Sequence, residues 1–224
     1  LATALRGCSA DDGYNSDAFN NFLEYIPAIR SRIESQYADK RYPTNGFMMG
    51  HALAGQSFDR NYGGTSETSS DVLIPAFVAA YSGKSPHKVT LNPFPGLAEI
   101  LPNWRLTYDG LIEIGKIRKY FKSFTLTHAY QCTYSVGSFT SFTDWVDIGN
   151  GLGFTRDQLT QNPIPSSPFN ISSVAITEKF APLIGVNATM NNNVSFNAEY
   201  RDSRTLTLNS DAGHVVEAGH KSFV

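Results

Sequence analysis

The chain has 224 residues, room for one or two domains, and its net charge of −2 and pI near 6.2 leave no basic footprint for nucleic acid. Only 17% of residues are charged while 11 Tyr and 15 Phe are present, a balance that fits a β-rich protein with aromatic girdles or a sandwich core. No run of 18 apolar residues occurs, which excludes a membrane-spanning helix but not a barrel, whose apolar residues alternate with polar ones.

Residues 1–15 are polar and read as loop. Both ends read as cut, so the sequence is expected to be a fragment of something longer. Asp17 reads as an N-cap before Phe19, Phe22, Leu23, Ile26, Ile29 and Ile33 at helical spacing, with Pro27 expected to kink or divide that helix. The stretch 37–70 is rich in Gly, Ser, Asn and Thr and reads as a long loop with short pieces of structure. Asp71 is expected to cap a second helix over 72–81, apolar nearly all round and therefore buried, with Pro75 early and Gly83 ending it. Pro93, Pro95 and Pro102 make 91–102 an extended connector.

Beyond Pro102 the pattern changes to strands. Trp104, Leu106 and Tyr108 alternate with Arg105, Thr107 and Asp109. A turn or short helix over 111–120 carries Lys116, Arg118 and Lys119, with Lys122 beyond it; beside Tyr120 and Phe121 these cations suit a headgroup interface or a solvated turn. The stretch 124–136 then separates into two faces. Phe124, Leu126, His128, Tyr130, Cys132, Tyr134 and Val136 form an apolar one. Thr125, Thr127, Ala129, Gln131, Thr133 and Ser135 form the other, of hydroxyls and amides. A transmembrane β-strand needs about 9–11 residues of this pattern, whereas strands of soluble sheets average about 5–6. Thr125, Thr127, Gln131, Thr133 and Ser135 are accordingly expected to face a lumen, and Phe124, Leu126, Tyr130, Tyr134 and Val136 to face lipid. Residues 138–169 read as irregular. Two further amphipathic strands, 183–190 and 194–208, are joined by a tight turn at Asn191, Asn192 and Asn193, since Asn tolerates positive φ. All three strands are expected to be antiparallel neighbours.

Sites of chemistry are not legible. His51, His87, His128, His214 and His220 have no metal spacing, and Cys8 and Cys132 form no pair with them; His128 reads as a neutral side chain against a neighbour. Asp11 and Asp12 lie in loop sequence, and calcium needs more oxygen ligands at fixed spacing. No nucleophile elbow, P-loop or dinucleotide fingerprint occurs, so neither an enzyme nor a cofactor is expected. The glycine-rich GNGLG at 149–153 lacks a βα context and reads as loop. Asn-x-Ser/Thr sequons occur at Asn170, Asn187 and Asn193, two of them on or beside predicted strands.

Several ordered blocks resemble one family. They are LPNWRLTYDG at 101–110, YFKSFTLTHAY at 120–130, TYSVGSF at 133–139, KFAPLIG at 179–185 and EYRDSRTL at 199–206. Upstream, FLEY at 22–25 and DVLIPAFVAAYSG at 71–83 follow the same order. Together they resemble the C-terminal part of the SprA/Sov family, the outer-membrane translocon of the type IX secretion system in Bacteroidota. The segment 143–169 and the tail after Asp211 depart from that likeness. The resemblance implies a mainly β chain supplying antiparallel strands of a very large transmembrane barrel. Residues 1–100 would be a helix- and loop-rich insertion that caps or plugs it, and 101–224 barrel strands with their loops. It further implies export of folded cargo, with secreted proteins bearing C-terminal signals, other type IX subunits and outer-membrane lipid as partners. A soluble β-rich surface module, an adhesin or glycan-binding sandwich, is the competing expectation. Strand length separates the two, because a sandwich strand turns every 8–12 residues.

Overall fold

A computed structural model describes residues 16–94 and 103–224. The expected loop at 1–15, with Cys8, Asp11 and Asp12, and part of the proline-rich connector lie outside the described residues.

Two helices open the described chain. Helix α1 spans Asp17–Gln36, and its N-cap is Ser16, not Asp17: the Ser16 hydroxyl accepts from Phe19 N–H at 3.2 Å, and Asp17 sits in the first turn, where its charge favours the helix dipole. The helix runs uninterrupted through Pro27. Phe22, Ile29 and Ile33 make its buried stripe. Short pieces follow, a 3₁₀ turn at Gly46–Met48 and a helical turn α2 at Arg60–Gly63. Helix α3 spans Ser70–Ser82 and ends at Gly83, whose φ of 66° is the left-handed stop that glycine supplies without strain. Its cap is Ser69, which frees Asp71 for another partner. Almost every residue of α3 is buried, as an all-round apolar helix requires.

Eight strands follow: β1 (Trp104–Tyr108), β2 (Phe121–Ser141), β3 (Val146–Gly149), β4 (Leu152–Arg156), β5 (Pro163–Pro165), β6 (Phe169–Met190), β7 (Ser195–Asn209) and β8 (His214–Phe223). A 3₁₀ turn at Gly110–Glu113 and a helical turn α4 at Gly115–Arg118 lie between β1 and β2. One antiparallel sheet has the order β1-β2-β6-β7-β8, and a small one has the order β3-β4-β5. If the small sheet is set aside as an insertion, each strand of the large sheet pairs with its neighbour in sequence. The expected adjacency of β2, β6 and β7 is observed, with Phe124 opposite Ala188, Tyr134 opposite Ile176 and Val186 opposite Ala198. The β6–β7 hairpin turns at Asn191–Asn193, where Asn193 takes a φ of 65°. At 21 and 22 residues, β2 and β6 reach roughly 70 Å, far beyond a sandwich strand.

The protein is mainly β and antiparallel, and among the described residues the sheet is open and no closed barrel is found. Five strands are too few, since the smallest transmembrane barrels take about eight. The irregular stretch expected over 138–169 is a correction of another kind. There β2 continues to Ser141, β6 begins at Phe169, and the small sheet fills the interval. Its prolines and glycines hid it: Pro163 and Pro165 sit on the short outer strand β5, and Gly153 lies in β4 where the Trp145 ring leaves no room for a methyl group.

One core joins these parts. Phe22, Ile29, Ile33, Phe77 and Tyr81 from the helices meet Phe154 of the small sheet and Ile171, Val174, Leu206 and Leu208 of the large one. Phe154 is fully buried and ringed by Tyr37, Tyr42 and Phe58 at 5.2, 5.3 and 6.1 Å between ring centres. The Tyr37 hydroxyl donates to Gly153 O at 3.0 Å, and burial pushes its pKa up to about 12. We expect Phe154→Ala to destabilise the helical unit by about 3–5 kcal/mol, because a rigid ring of aromatics cannot collapse into the space. Denaturant unfolding followed by near-ultraviolet circular dichroism reads this directly, and a loss below about 1 kcal/mol would contradict it.

Candidate functional site

The candidate site is the large sheet itself, because its two faces are chemically different and are covered differently. Register assigns the faces. The first carries Trp104, Leu106 and Tyr108 of β1, and Phe124, Leu126, His128, Tyr130, Cys132, Tyr134 and Val136 of β2. It continues through Val174, Ile176, Glu178, Phe180, Val186 and Ala188 of β6 to Phe196, Ala198, Asp202, Arg204, Leu206 and Leu208 of β7. The second carries Thr125, Thr127, Gln131, Thr133, Ser135, Ser173, Thr177, Asn187, Thr189, Ser195, Asn197, Thr205 and Thr207.

The first face changes character along its length. At the end near Val136 it is the floor of the helical unit: Tyr134, Val136 and Ile176 pack against the core of α1 and α3, and the Tyr134 hydroxyl donates to Pro93 O at 3.0 Å. This corrects the expectation for Tyr134 and Val136, which meet protein and not lipid. Sequence alternation defined the face but carried no information on what covers it.

Next comes an ionic belt. Glu178 accepts from the Tyr130 hydroxyl at 2.8 Å, and register sets Arg204 directly opposite Glu178. Arg204 holds Glu217 of β8 through Nε at 2.9 Å and Nη2 at 3.2 Å, and its guanidinium lies 5.8 Å from the Tyr81 ring centre of α3. Glu178 and Arg204 are buried, and buried charges persist only when paired. Sequence reading missed this belt. Its trace is the interruption of apolar alternation by Glu178, Asp202 and Arg204, all on the inward parity of their strands.

Below the belt lies an aromatic cluster. Trp104 stacks on Tyr130 at 4.5 Å, Tyr130 meets Phe180 at 4.9 Å, and His128 meets Phe180 at 5.7 Å. His128 Nδ1 lies 2.7 Å from Leu183 O, a neighbour contact and not a ligand position. Further down, a second cluster joins Phe121 to Phe124 at 5.4 Å and to Phe196 at 6.1 Å. Between the two clusters the face is Leu106, Tyr108, Leu126, Val186, Ala188 and Ala198. Leu106 and Tyr108 are 60% and 56% exposed, Leu126, Val186 and Ala198 are half-buried, and Ala188 is buried. Of the expected lipid-facing set, Phe124 and Leu126 lie in this band, half-buried, whereas Tyr130 is buried against Trp104 and Phe180 with its hydroxyl on Glu178, so protein and not lipid covers it.

The second face is mostly polar; besides its hydroxyls and amides it carries Arg105, Lys179, Glu199 and Arg201, and Val216 of β8 is exposed on it. All five expected lumen-facing residues lie on it, Gln131, Thr133 and Ser135 exposed and Thr125 and Thr127 half-buried within the sheet. Neighbouring hydroxyls satisfy one another, as in Thr177 with Thr205 at 3.3 Å and Thr189 with Ser195 at 2.9 Å.

A polar cleft of about 970 Å³ opens beside α3, lined by Ser69, Asp71, Thr155, Arg156, Ser166 and Asn170. Three of its four acids are engaged already: Asp144 accepts from Thr155 Oγ1 at 2.8 Å, Asp157 closes its own turn on Thr160 N–H at 2.7 Å, and Asp71 accepts from Ser167 N–H at 2.9 Å; the fourth is Asp211. Among the described residues no three His, Cys, Asp or Glu side chains converge as a metal site, and no helix is long and apolar enough to cross a membrane. Comparison of the chain with known protein-family models gives no match, and comparison with curated proteins gives none.

Burial raises the Asp71 carboxyl above its ordinary range, outweighing the Ser167 bond that lowers it. A carboxyl raised on folding stabilises most below its unfolded pKa, and that contribution is lost as pH rises through the folded value. The helical unit should therefore weaken as pH rises from about 4 toward neutrality, and Asp71→Asn should flatten that slope. Thermal unfolding across this range checks both statements; a slope unchanged in the variant would exclude Asp71 as its source.

Proposed function

We propose that this chain is a strand-forming segment of an outer-membrane protein-conducting channel, of the type IX translocon kind that its motifs resemble. The observation carrying the reading is the uncovered band on the first face. From Phe121 to Tyr130 is nine residues, about 30 Å along a strand. A tilted transmembrane strand uses about 9–11 residues, with an outward apolar band about 25 Å tall between two aromatic girdles. The Phe121–Phe124–Phe196 and Trp104–Tyr130–Phe180 clusters stand where girdles belong, and the buried ionic belt begins just past the second. Lipid touches the band, while the polar second face lines the lumen. The helical unit then stands above the membrane on the outward continuation of the strands. Secreted cargo with C-terminal signals and other type IX subunits are the partners that this reading implies, with the outer membrane as location. The chain itself performs no chemistry.

A soluble surface module has one observation in its favour, the open five-stranded sheet. Against it stands the band itself. A soluble sheet of this length would leave Leu106, Tyr108, Ile184 and Phe196 as one uncovered apolar strip, which monomeric proteins avoid.

Two measurements test the proposal. In the full-length protein, Leu126→Lys should cost about 2–4 kcal/mol of membrane-protein stability, whereas Thr125→Lys should cost little; equal effects on heat-modifiable gel mobility would refute the facing. Disruption of the gene in a Bacteroidota host should leave cargo bearing the type IX signal in the periplasm. Normal surface delivery in that strain would refute the channel.

A further inference from the structure

The lower end of the apolar band is a basic rim. Lys116, Arg118, Lys119 and Lys122 fall within seven residues, all are exposed, and none forms an ion pair among the described residues. The rim is anchored in the fold. Asn191 of the hairpin turn donates its side-chain amide to Lys119 O at 2.9 Å and its backbone N–H to Tyr120 O at 3.0 Å. The segment bearing the cations is thus tied to the tip of β6 and β7. Tyr120 is exposed between the cations and Ile114 just before them, and the Phe121–Phe124–Phe196 cluster begins immediately above. Lys119 Nζ lies 5.7 Å from the Tyr120 ring centre, so its stem is drawn along an aromatic surface while the charge stays outward.

We propose that this rim binds the phosphates of anionic phospholipid headgroups in the leaflet at the short-turn end of the sheet. The inference rests on the reading of the band as lipid-facing, and it adds a named lipid chemistry at a named place. Three features support it. The four cations stand beside one another without acidic partners, so they present net positive potential. They border an apolar band whose height fits acyl chains, which puts them at headgroup level. The aromatic side chains among them suit the interface, where one end of a ring is apolar and the other wet. Their fixed position makes the attraction local: its range is about a Debye length, near 8 Å at physiological salt.

The test uses full-length protein reconstituted into vesicles, with Tyr120→Trp as a fluorescent reporter at the rim. Its emission, taken as the difference from the unsubstituted protein, is quenched with brominated phosphatidylglycerol or brominated phosphatidylcholine. We expect quenching by both lipids, with the anionic lipid preferred about fivefold or more at low salt. The preference should fall to near unity in Lys116→Gln/Lys119→Gln/Lys122→Gln and in high salt. Equal quenching by the two lipids in the unsubstituted rim would overturn the proposal while leaving the membrane position intact. Quenching by neither would overturn the band reading itself. A preference that survives the triple substitution would locate the anionic site elsewhere and overturn the assignment to the rim.

Discussion

A strand ladder about 20 residues long presents two faces along its whole length, and every apolar side chain on them needs a neighbour that is not water. In this protein that constraint falls on the face carrying Phe124 to Val136. Helices α1 and α3 with the small sheet supply cover for the half near Val174, Leu206 and Leu208, and there they build a conventional core with Phe22, Ile29 and Phe77 at its centre. Farther along the same face Leu106 and Phe196 are exposed and Leu126 and Val186 half-buried. One face thus has two environments. At roughly 25 cal/mol per Å² of apolar surface, leaving several such side chains against water would cost several kcal/mol, comparable to the net stability of a domain. In the proposed membrane setting lipid would remove that cost, and two different media would share the task of covering the long strands.

The ionic belt sits where those two media would meet. Glu178 and Arg204 are buried, yet they lie just beyond the Trp104–Tyr130–Phe180 cluster, on the helical side of it. Deep in hydrocarbon such a group would be expensive even when paired. Under α3 it is tolerable, because Tyr81 covers the guanidinium, Glu217 binds it in fork geometry and Tyr130 serves the opposite carboxylate. The belt also links β2, β6, β7 and β8 to one helix side chain. Replacing one partner strands the others, whereas an apolar core residue lost at the same place would leave only a void. This asymmetry gives the helical unit one seating on the sheet.

What could be read from sequence follows from how local each signal is. The alternation in β2, the Asn turn and the apolar run of α3 are properties of neighbouring residues, and they appear in the fold with the expected faces. The caps were displaced by two residues or fewer, because Ser16 and Ser69 stand beside Asp17 and Asp71 and either type can cap. The small sheet β3–β5 was illegible because Pro163, Pro165 and Gly153 are turn signals in isolation; only the Tyr37 bond to Gly153 and the aromatic ring around Phe154 give them a place. The cover of Tyr134 and Val136 was illegible for a further reason. Their strand is more than 90 residues from α1, and nothing in a strand's own pattern distinguishes a helix from a lipid tail as its neighbour. The girdles were half legible: each aromatic residue was visible, but their clustering at two heights needs the register of β1, β2 and β6.

The polar face closes the argument about transport. A surface that lets folded proteins pass must not hold them, so it should offer neither apolar area nor strong fixed charge. The Thr, Ser and Asn side chains of the proposed lumen face meet this need because each can exchange a protein hydrogen bond for a water one at little net gain, about 1 kcal/mol or less; Arg201 is paired with Glu199, while Arg105 and Lys179 add local charge. The pairing of Thr177 with Thr205 and Thr189 with Ser195 reduces their grip further, since each hydroxyl already has a partner in the sheet. The wet side of a soluble sheet would have the same composition, so this face alone does not discriminate. The discrimination comes from the two faces together. A soluble sheet is polar where it is uncovered. Here the polar face is uncovered along its whole length, and the apolar face is uncovered over the span of about 25–30 Å that a bilayer occupies. A sheet standing between lipid and water, as proposed, would have that combination.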